Sequence, residues 1–483
     1  MAVSSKHVVI VGGGITGLAA VHALQSRAAS LDVPLACTLV EAEDRCGGKI
    51  LTHRVDNFVI EAGPDSFLSQ KPSALNLCRE LGLADQLINT NETQEKAFVY
   101  SRGRLRPLPD GFVVIVPNRL GPFLRSGLLS WRGIIRMGLD VVISKRSAAE
   151  DESLAAFFRR RFGAEAFERL IEPLMAGIYA GDAEDLSMRA AFPRFVELEQ
   201  QHGSLLRGML AAAAPKSAQD HREPRRTTFV TLQGGLSTLV AALLSSMAAS
   251  GVKILSGQRV TTVRARSMRS AASPYELLFE TGSSMPADAV ILATPAFASA
   301  EIVRGLSNEA SALLAAIPYA STATVSMAYD TTDLGSMVRG FGFVVPRAER
   351  RDLLAATWTS LKWPHRAPPS RALVRCYVGG VGREAITHTD DASMIRRVRD
   401  ELRVIAGITH EPIYAEVNRW ERGMPQYQLG HRQRLEKIQG QLRSYRGLYL
   451  AGAAYHGIGI PDCIRDGTET AERVLRDLGL VSA

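Results

Sequence analysis

The sequence has too few cysteines, placed too far apart, to build a covalent or metal framework. Its five, Cys37, Cys46, Cys78, Cys376 and Cys463, are odd in number and contain no C-x-x-C pair, so neither a disulfide scaffold nor a zinc site is expected. It also lacks an apolar run long enough to span a bilayer. The stretch from Thr227 to Val252 carries no charge, but Gln233, Gly234 and Gly235 interrupt it. Leu236, Leu239, Val240, Leu243, Leu244 and Met247 recur there at helical spacing, as on a helix packed against a core. Residues 1–11 show no long apolar segment with a cleavage site, which argues against a secretory signal and for a cytoplasmic protein. No Ser/His/Asp set, H-x-x-x-H metal pair or supported carboxylate dyad is visible, so hydrolytic and metal chemistry have no foothold.

Long blocks of one charge are missing too. The net charge is +8, but it is spread along the chain, which argues against nucleic acid and for an acidic small-molecule substrate. The short runs Arg159-Arg160-Arg161 and Arg222 to Arg226 read as solvated surface. At 483 residues, 46% hydrophobic and 22% charged, the chain has the composition of a folded protein of two or three domains.

What is present begins at Val8-Val9-Ile10-Val11, which runs into Gly12-Gly13-Gly14-Ile15-Thr16-Gly17 and an Ala/Leu-rich segment. This is strand, glycine turn and helix. Gly12 permits the turn, Gly14 lets a pyrophosphate approach the backbone, and Gly17 lets helix and strand pack closely. Free N–H groups at the helix start favour phosphate. A second strand, Cys37-Thr38-Leu39-Val40, delivers Glu41 and Ala42 where a ribose would sit. The pattern by itself says dinucleotide. Two further turns follow, Arg45-Cys46-Gly47-Gly48-Lys49-Ile50 and Glu61-Ala62-Gly63-Pro64-Asp65-Ser66.

Beyond these turns the spacing predicts a helix from Phe67 to Gln94, then a hairpin through Phe98-Val99-Tyr100, Arg102-Gly103 and Leu105. A mostly helical region follows from Pro107 to about Gln219. Its first part is apolar with interspersed arginines (Phe112 to Pro117, Phe123, Leu128, Leu129, Trp131, Ile134, Ile135). That part suits either a face covering a substrate cavity or a basic amphipathic surface touching a membrane. Strand-like alternation runs from Ala320 to about Glu416, with a helix carrying Ile395, Val398, Leu402 and Ile405. The chain closes with strand Gly447 to Gly452, a glycine-rich turn from Tyr455 to Ile464 and a last helix from about Arg465.

The turns after Glu41 resemble the extended N-terminal signature of FAD proteins in the glutathione-reductase-like superfamily, the branch that includes amine oxidases, phytoene desaturases and porphyrinogen oxidases. Ala176-Gly177-Ile178-Tyr179-Ala180-Gly181-Asp182, then Leu186-Ser187 and Phe192-Pro193, resemble the signature of protoporphyrinogen and coproporphyrinogen oxidases. Trp358 to Pro364 is similar to the bacterial branch. The resemblance runs from Gly12 to Asp462 and implies an α/β fold with an α+β substrate part. It implies a discontinuous Rossmann-like FAD domain (residues 1–72, 225–300 and 417–483), an antiparallel-sheet substrate domain (73–106 and 301–416) and a helical domain (107–224). FAD contacts are then expected from Gly12, Gly13, Gly14, Ile15, Thr16, Gly17, Glu41, Ala42, Gly48, Lys49, Gly63, Pro64, Asp65, Ser66, Val260, Trp420, Ile458, Gly459 and Ile460. The matching glycine, Gly177, is expected against the substrate ring, and Lys71 is a candidate for a substrate carboxylate.

By the same resemblance the reaction is oxidation of a porphyrinogen to a porphyrin in three two-electron steps, with electrons passing from flavin to oxygen and leaving as peroxide. Such chemistry needs positioning more than a side-chain base, and none is assigned; His456 lacks a visible orienting partner. The positive balance, the Gly-Ile-Gly-Ile-Pro-Asp-Cys ending and Trp363-Pro364-His365 resemble the coproporphyrinogen-oxidising bacterial branch, and the resemblance implies coproporphyrinogen III, whose four propionates suit a more cationic cavity than the two of protoporphyrinogen IX. A flavin amine oxidase, which would need an aromatic cage, and a non-catalytic FAD protein are the alternatives. Contact with the inner face of a membrane and a haem-pathway enzyme as partner remain open, as does oligomeric state.

Overall fold

The computed structural model describes residues 5–92, 97–108, 112–113, 116–117, 127–147, 150–213, 226–266, 273–334 and 338–481. The β-branched run at the start forms strand Lys6–Val11, the middle of a five-stranded parallel sheet. Leu35–Val40 pairs on one side, in register Val8 with Cys37, and Lys253–Leu255 lies beyond it. On the other side stand Ala289–Leu292 and Leu448–Leu450. Val8, Val9 and Ile10 are fully buried, as expected for a parallel strand covered on both faces. Three distant stretches of chain therefore complete one nucleotide sheet. Helices Ile15–Ser30, Ser237–Ala249 and Ile460–Asp477 cover one face through Leu18, Leu24, Leu239, Leu243 and Val474.

A seven-stranded sheet stands beside it, in the order Tyr414–Pro425, Tyr319–Asp330, Arg371–Gly379, Leu353–Trp358, Gly342–Val344, Phe98–Ser101, Arg104–Pro107. Pairings are antiparallel except that Gly342–Val344 runs parallel to Phe98–Ser101. Period-two alternation assigns its faces. Ala323, Val325, Met327 and Tyr329 point into a core with Val374, Cys376 and Val378, capped by Met394, Val398 and Leu402 of helix Asp391–Ala406. The opposite face carries Thr324, Arg375 and Trp420 toward the nucleotide domain, where all three reach the Ala62 carbonyl.

The third part is helical and built around phenylalanines. Phe157 and Phe158 meet edge to face at 5.1 Å, and Phe158 meets Phe195 at 5.6 Å. Arg161 is fully buried among them. Its Nε donates to Glu199 Oε1 at 2.7 Å and its Nη1 to Asp140 Oδ1 at 3.1 Å, while Arg160 donates to Glu152 and Glu199, both at 2.8 Å. The reading of Arg159 to Arg161 as solvated surface is therefore corrected for two of the three, because carboxylates from neighbouring segments, Asp140, Glu152 and Glu199, meet them. Of Arg222 to Arg226 only Arg226 is described, and its Nη1 donates to the Leu87 carbonyl at 2.9 Å.

Other expectations change as well. Phe67 to Gln94 is not one helix: helix Pro72–Glu80 is flanked by strands Phe67–Leu68 and Leu87–Asn89, both paired with Phe229–Leu232. Ala74, Leu75, Leu77 and Cys78 pack in the nucleotide core, so residues 73–89 sit with that domain rather than with the substrate sheet. Conversely, residues 417–425 belong to a strand of the seven-stranded sheet. Leu353–Trp358 is a central strand that the sequence pattern did not single out. Within the apolar segment Phe112 to Phe123, only Phe112–Val113 and Val116–Pro117, a short antiparallel pair, are described.

Removing Arg161 leaves the buried Asp140 and Glu199 carboxylates short of their cation. Arg161→Leu should cost about 3–5 kcal/mol of folding stability, read as a lower midpoint in chemical denaturation.

Candidate active site

The first turn sits where strand Lys6–Val11 meets helix Ile15–Ser30. Gly12 has φ +108°, and a Cβ there would lie 2.8 Å from the Ala293 carbonyl oxygen. A Cβ on Gly17 would run into the Gly12 carbonyl oxygen, so the third glycine is needed for helix and strand to touch. Gly14 differs: nothing lies within 4 Å of the place its Cβ would take. It is the N-cap residue and offers no side-chain cap, which leaves the first-turn N–H groups of Ile15, Thr16 and Gly17 without side-chain acceptors. Space and donors therefore coincide where a diphosphate would bind.

Glu41 closes one end of this turn. Its Oε2 accepts from Gly13 N at 2.6 Å and its Oε1 from Glu43 N at 2.9 Å, and a carboxylate has further lone pairs for ribose hydroxyls. The segment leading to Val260 runs alongside, with Gln258 N donating to the Glu41 carbonyl at 2.9 Å. Val260 itself is buried, and Ala42 is half-buried after Glu41. Gly48, at φ +54°, packs against Gly14 Cα. Lys49 follows, with protein close around its ammonium. Burial holds its ammonium below the ordinary value.

The chain's last helix completes the site. A Cβ on Gly467 would strike the Thr16 carbonyl, so helix Ile460–Asp477 lies directly on helix Ile15–Ser30. Its N-cap Gly459 again offers no side-chain cap. Ile458, half-buried, packs into the phenylalanine core, and Ile460 into the nucleotide core. Burial pushes the nearby Cys463 thiol up to about 11, so it stays protonated. Lys71, at the start of helix Pro72–Glu80, reaches this turn: its Nζ donates to Asp462 Oδ2 at 2.5 Å. Its charge is thus met by a carboxylate of the protein's own. His456 gains the orienting partner that the sequence hid, since its Nδ1 lies 3.0 Å from Asp466 Oδ1 while Asp466 Oδ2 accepts from Gly452 N at 2.6 Å.

Under the Gly63-Pro64-Asp65-Ser66 turn lies a polar network of which sequence reasoning found only Asp65, Ser66 and Trp420. Trp420 Nε1 donates to the Ala62 carbonyl at 2.9 Å, and Arg375 Nη2 donates to the Ala62 and Gly63 carbonyls. Lys362 Nζ donates to Asp65 Oδ2 at 3.0 Å and Ser66 Oγ to Asp65 Oδ1 at 2.7 Å. Burial alone would raise the Asp65 carboxyl, but Lys362, Arg375 and Ser66 overcome it and hold it well below the usual range. Deeper still, the buried Arg366 Nη2 lies 2.9 Å from Glu61 Oε1. These arginines sit more than 300 residues from those partners, and no local signal marks them.

Gly177 lies apart from the nucleotide turn, near the end of helix Glu172–Tyr179, which follows a π-helical turn at Phe167–Ile171. It is exposed and lines a cleft with Glu172, Arg347, Gly380 and Arg383. Two residues along, Tyr179 ties this segment to the glycine-rich turn at Gly457. Gln426 Nε2 donates to the Tyr179 carbonyl at 2.8 Å, the Tyr179 and Tyr427 rings lie 5.6 Å apart, and Tyr427 Oη accepts from Gly457 N at 2.8 Å. Tyr427 also stacks on His431 at 4.3 Å, and Tyr455 is buried with its hydroxyl 3.5 Å from Ser299.

Residues 15–475 match the sequence profile of the family described as flavin containing amine oxidoreductase. The chain belongs to that family. FAD is therefore its cofactor, and the open space at Gly14, the two uncapped helix starts and the Glu41 carboxylate fit an adenine dinucleotide. Among its relatives, the coproporphyrinogen III oxidase of Bacillus subtilis (strain 168) is 39% identical over 470 residues, covering 97% of each chain. Protoporphyrinogen oxidase 1, chloroplastic, of Arabidopsis thaliana is 33% identical over 96% of this chain and 87% of that protein. A crystal structure from Exiguobacterium sp. 255-15, provisionally named a protoporphyrinogen oxidase, is 33% identical and superposes with TM-score 0.84 over 99% of both chains. Reduced UDP-galactopyranose mutase, at 18% identity and TM-score 0.71, shares the fold.

The two glycines of the first turn should separate experimentally. Gly14→Val, filling empty space, should fold but purify with little flavin absorbance near ~450 nm, whereas Gly17→Val, which collides with backbone, should fail to accumulate as folded protein. Absorbance ratio and circular dichroism on the two variants check this.

Proposed function

We propose that the protein is an FAD-dependent porphyrinogen oxidase of haem biosynthesis, acting on coproporphyrinogen III with oxygen as acceptor and hydrogen peroxide as co-product. The observation that carries the reading is the tie from the Gly177 segment through Tyr179 and Tyr427 to Gly457. It fixes a ring-contacting backbone against the turn that receives the flavin. Overall, a porphyrinogen loses six hydrogens to three oxygen molecules, giving porphyrin and three peroxides. FAD supplies the hydride acceptor and the oxygen chemistry when bound.

The chain's own residues bind and orient. Gly12 to Gly17, Gly48 and Lys49, with Gly459 and Ile460, take the phosphates, and Glu41, Ala42 and Val260 take the adenosine end. Gly63, Pro64, Asp65, Ser66, Trp420 and Ile458 frame the flavin ring, and the Arg375 and Trp420 hydrogen bonds keep the Ala62 and Gly63 carbonyls from turning into the cavity. Asp65, anchored by Lys362, stays ionised. Lys71 orients Asp462 at the helix start, and Gly177 offers a surface without a side chain to the macrocycle. The amine oxidase reading loses ground because Tyr179, Tyr427 and Tyr455 are buried, with Tyr427 and Tyr455 bonded through their hydroxyls, rather than forming a cage. Coproporphyrinogen III is favoured because the named coproporphyrinogen III oxidases match the chain at 33–39% identity, against 29–33% for the named protoporphyrinogen oxidases over a similar span. Anaerobic flavin bleaching and aerobic porphyrin fluorescence with each porphyrinogen should show faster turnover of coproporphyrinogen III, and exclusive use of protoporphyrinogen IX would reverse the assignment.

Peripheral membrane contact is part of the same reading. No helix among the described residues is long and apolar enough to cross a membrane. Yet Trp131, Ile135, Leu139 and Val142 form one outward stripe, 66%, 56%, 46% and 72% exposed, with Arg132 over the Trp131 ring. Such a face gains by burial at an anionic bilayer. Co-sedimentation with anionic vesicles should fall several-fold in Trp131→Glu/Ile135→Glu, with porphyrinogen turnover retained.

A further inference from the structure

Two arginines beside Gly177 take no part in the nucleotide site. Arg347 follows strand Gly342–Val344 and Arg383 follows strand Arg371–Gly379, so the two approach one cleft from separate parts of the seven-stranded sheet. Gly177 and Glu172 form its helical wall. The loop bearing Arg383 is clamped to the end of the Gly177 helix. Gly379, Gly380 and Gly382 have φ of +92°, +84° and +76°, and Val381 N donates to the Ala180 carbonyl at 2.8 Å. A Cβ on Gly380 would lie only 2.7 Å from that carbonyl oxygen, so the approach is as close as backbone allows. The position of Arg383 relative to Gly177 is thus set by main chain.

The two arginines of the cleft are held differently. Asp182 Oδ2 accepts from Arg347 Nη1 at 2.9 Å, and Glu172 Oε2 accepts from Arg347 N at 3.1 Å. Burial favours the neutral form of Glu172 and lifts its pKa. The Arg383 side chain has a single hydrogen bond among the described residues, from Nη1 to the Arg351 carbonyl at 3.3 Å, and no ion pair there. Burial and the neighbouring Arg347 work against its charge, while the Glu172 and Asp352 carboxylates favour it without reaching ion-pair distance. An unpaired, half-buried guanidinium next to a second one calls for an anion with planar geometry, which a carboxylate meets with two parallel hydrogen bonds. The cleft measures about 40 Å³, room for a few waters or one carboxylate but not for a tetrapyrrole.

We propose that Arg383, backed by Arg347, is the anchor for one propionate carboxylate of the porphyrinogen whose ring rests on Gly177. This rests on the porphyrinogen oxidase reading and adds to it the residue that selects an acidic substrate. It also separates the roles of the cations: Lys71 is committed to Asp462, and Arg383 is open to the ligand.

The test compares wild type with Arg383→Ala and Arg383→Lys, all holding FAD. Affinity for coproporphyrin III is read from fluorescence quenching, and KM and kcat are measured with coproporphyrinogen III and with its uncharged tetramethyl ester. Arg383→Ala should raise Kd and KM for the tetra-acid by about 10- to 100-fold with kcat within about twofold, leave the ester constants unchanged, and recover partly in Arg383→Lys. Unchanged Kd and KM for the tetra-acid would overturn the proposal, as would an equal rise with the ester, which marks a merely structural loss. A wild type that oxidises neither substrate, although it holds FAD, would instead overturn the reading beneath it.

Discussion

The contact between the first and last helices is the constraint on which the rest of this protein depends. Gly467 and Thr16 meet with no room for a side chain, and that contact brings the Gly12-to-Gly17 turn and the Gly457-to-Ile460 turn into one site. Two helix starts then present their free N–H groups in the same place, and the field they create favours a diphosphate. Neither turn is a complete binding site by itself.

A second layer of order comes from charge buried in pairs. Glu61 with Arg366, Asp65 with Lys362, and Arg161 with Asp140 and Glu199 all lie away from solvent. Such pairs add less to net stability than their attraction suggests, because each ion has lost its hydration. Their effect here is positional. Arg375 and Trp420 hold the Ala62-Gly63 carbonyls, so the seven-stranded sheet cannot slide over the flavin side of the site without breaking bonds that water cannot replace.

The same sheet serves two environments because its strands alternate. One face is continuous with an apolar core beneath helix Asp391–Ala406, while the other carries Thr324, Arg375 and Trp420 to the cofactor domain. Past the ends of two of its interior strands it delivers Arg347 and Arg383 beside Gly177. The fold is shared with reduced UDP-galactopyranose mutase, so what distinguishes one member from another lies in the residues such strand ends carry.

Local sequence determined the nucleotide turn, Glu41, the amphipathic helix at Ser237–Ala249 and the alternating strands, because each is written in the spacing of neighbouring residues: glycines three apart, a 3.6-residue period, a two-residue period. It also carried the motif around Gly177 through resemblance. Tertiary structure decided everything that depends on partners far along the chain. Phe67–Leu68 and Leu87–Asn89 are strands only because Phe229–Leu232 lies between them, Arg161 is buried only because Glu199 and Asp140 meet it, and Lys71 is paired only because the last helix returns Asp462 to it. Burial and charge balance are properties of a side chain's surroundings, and those surroundings exist only once the chain has folded.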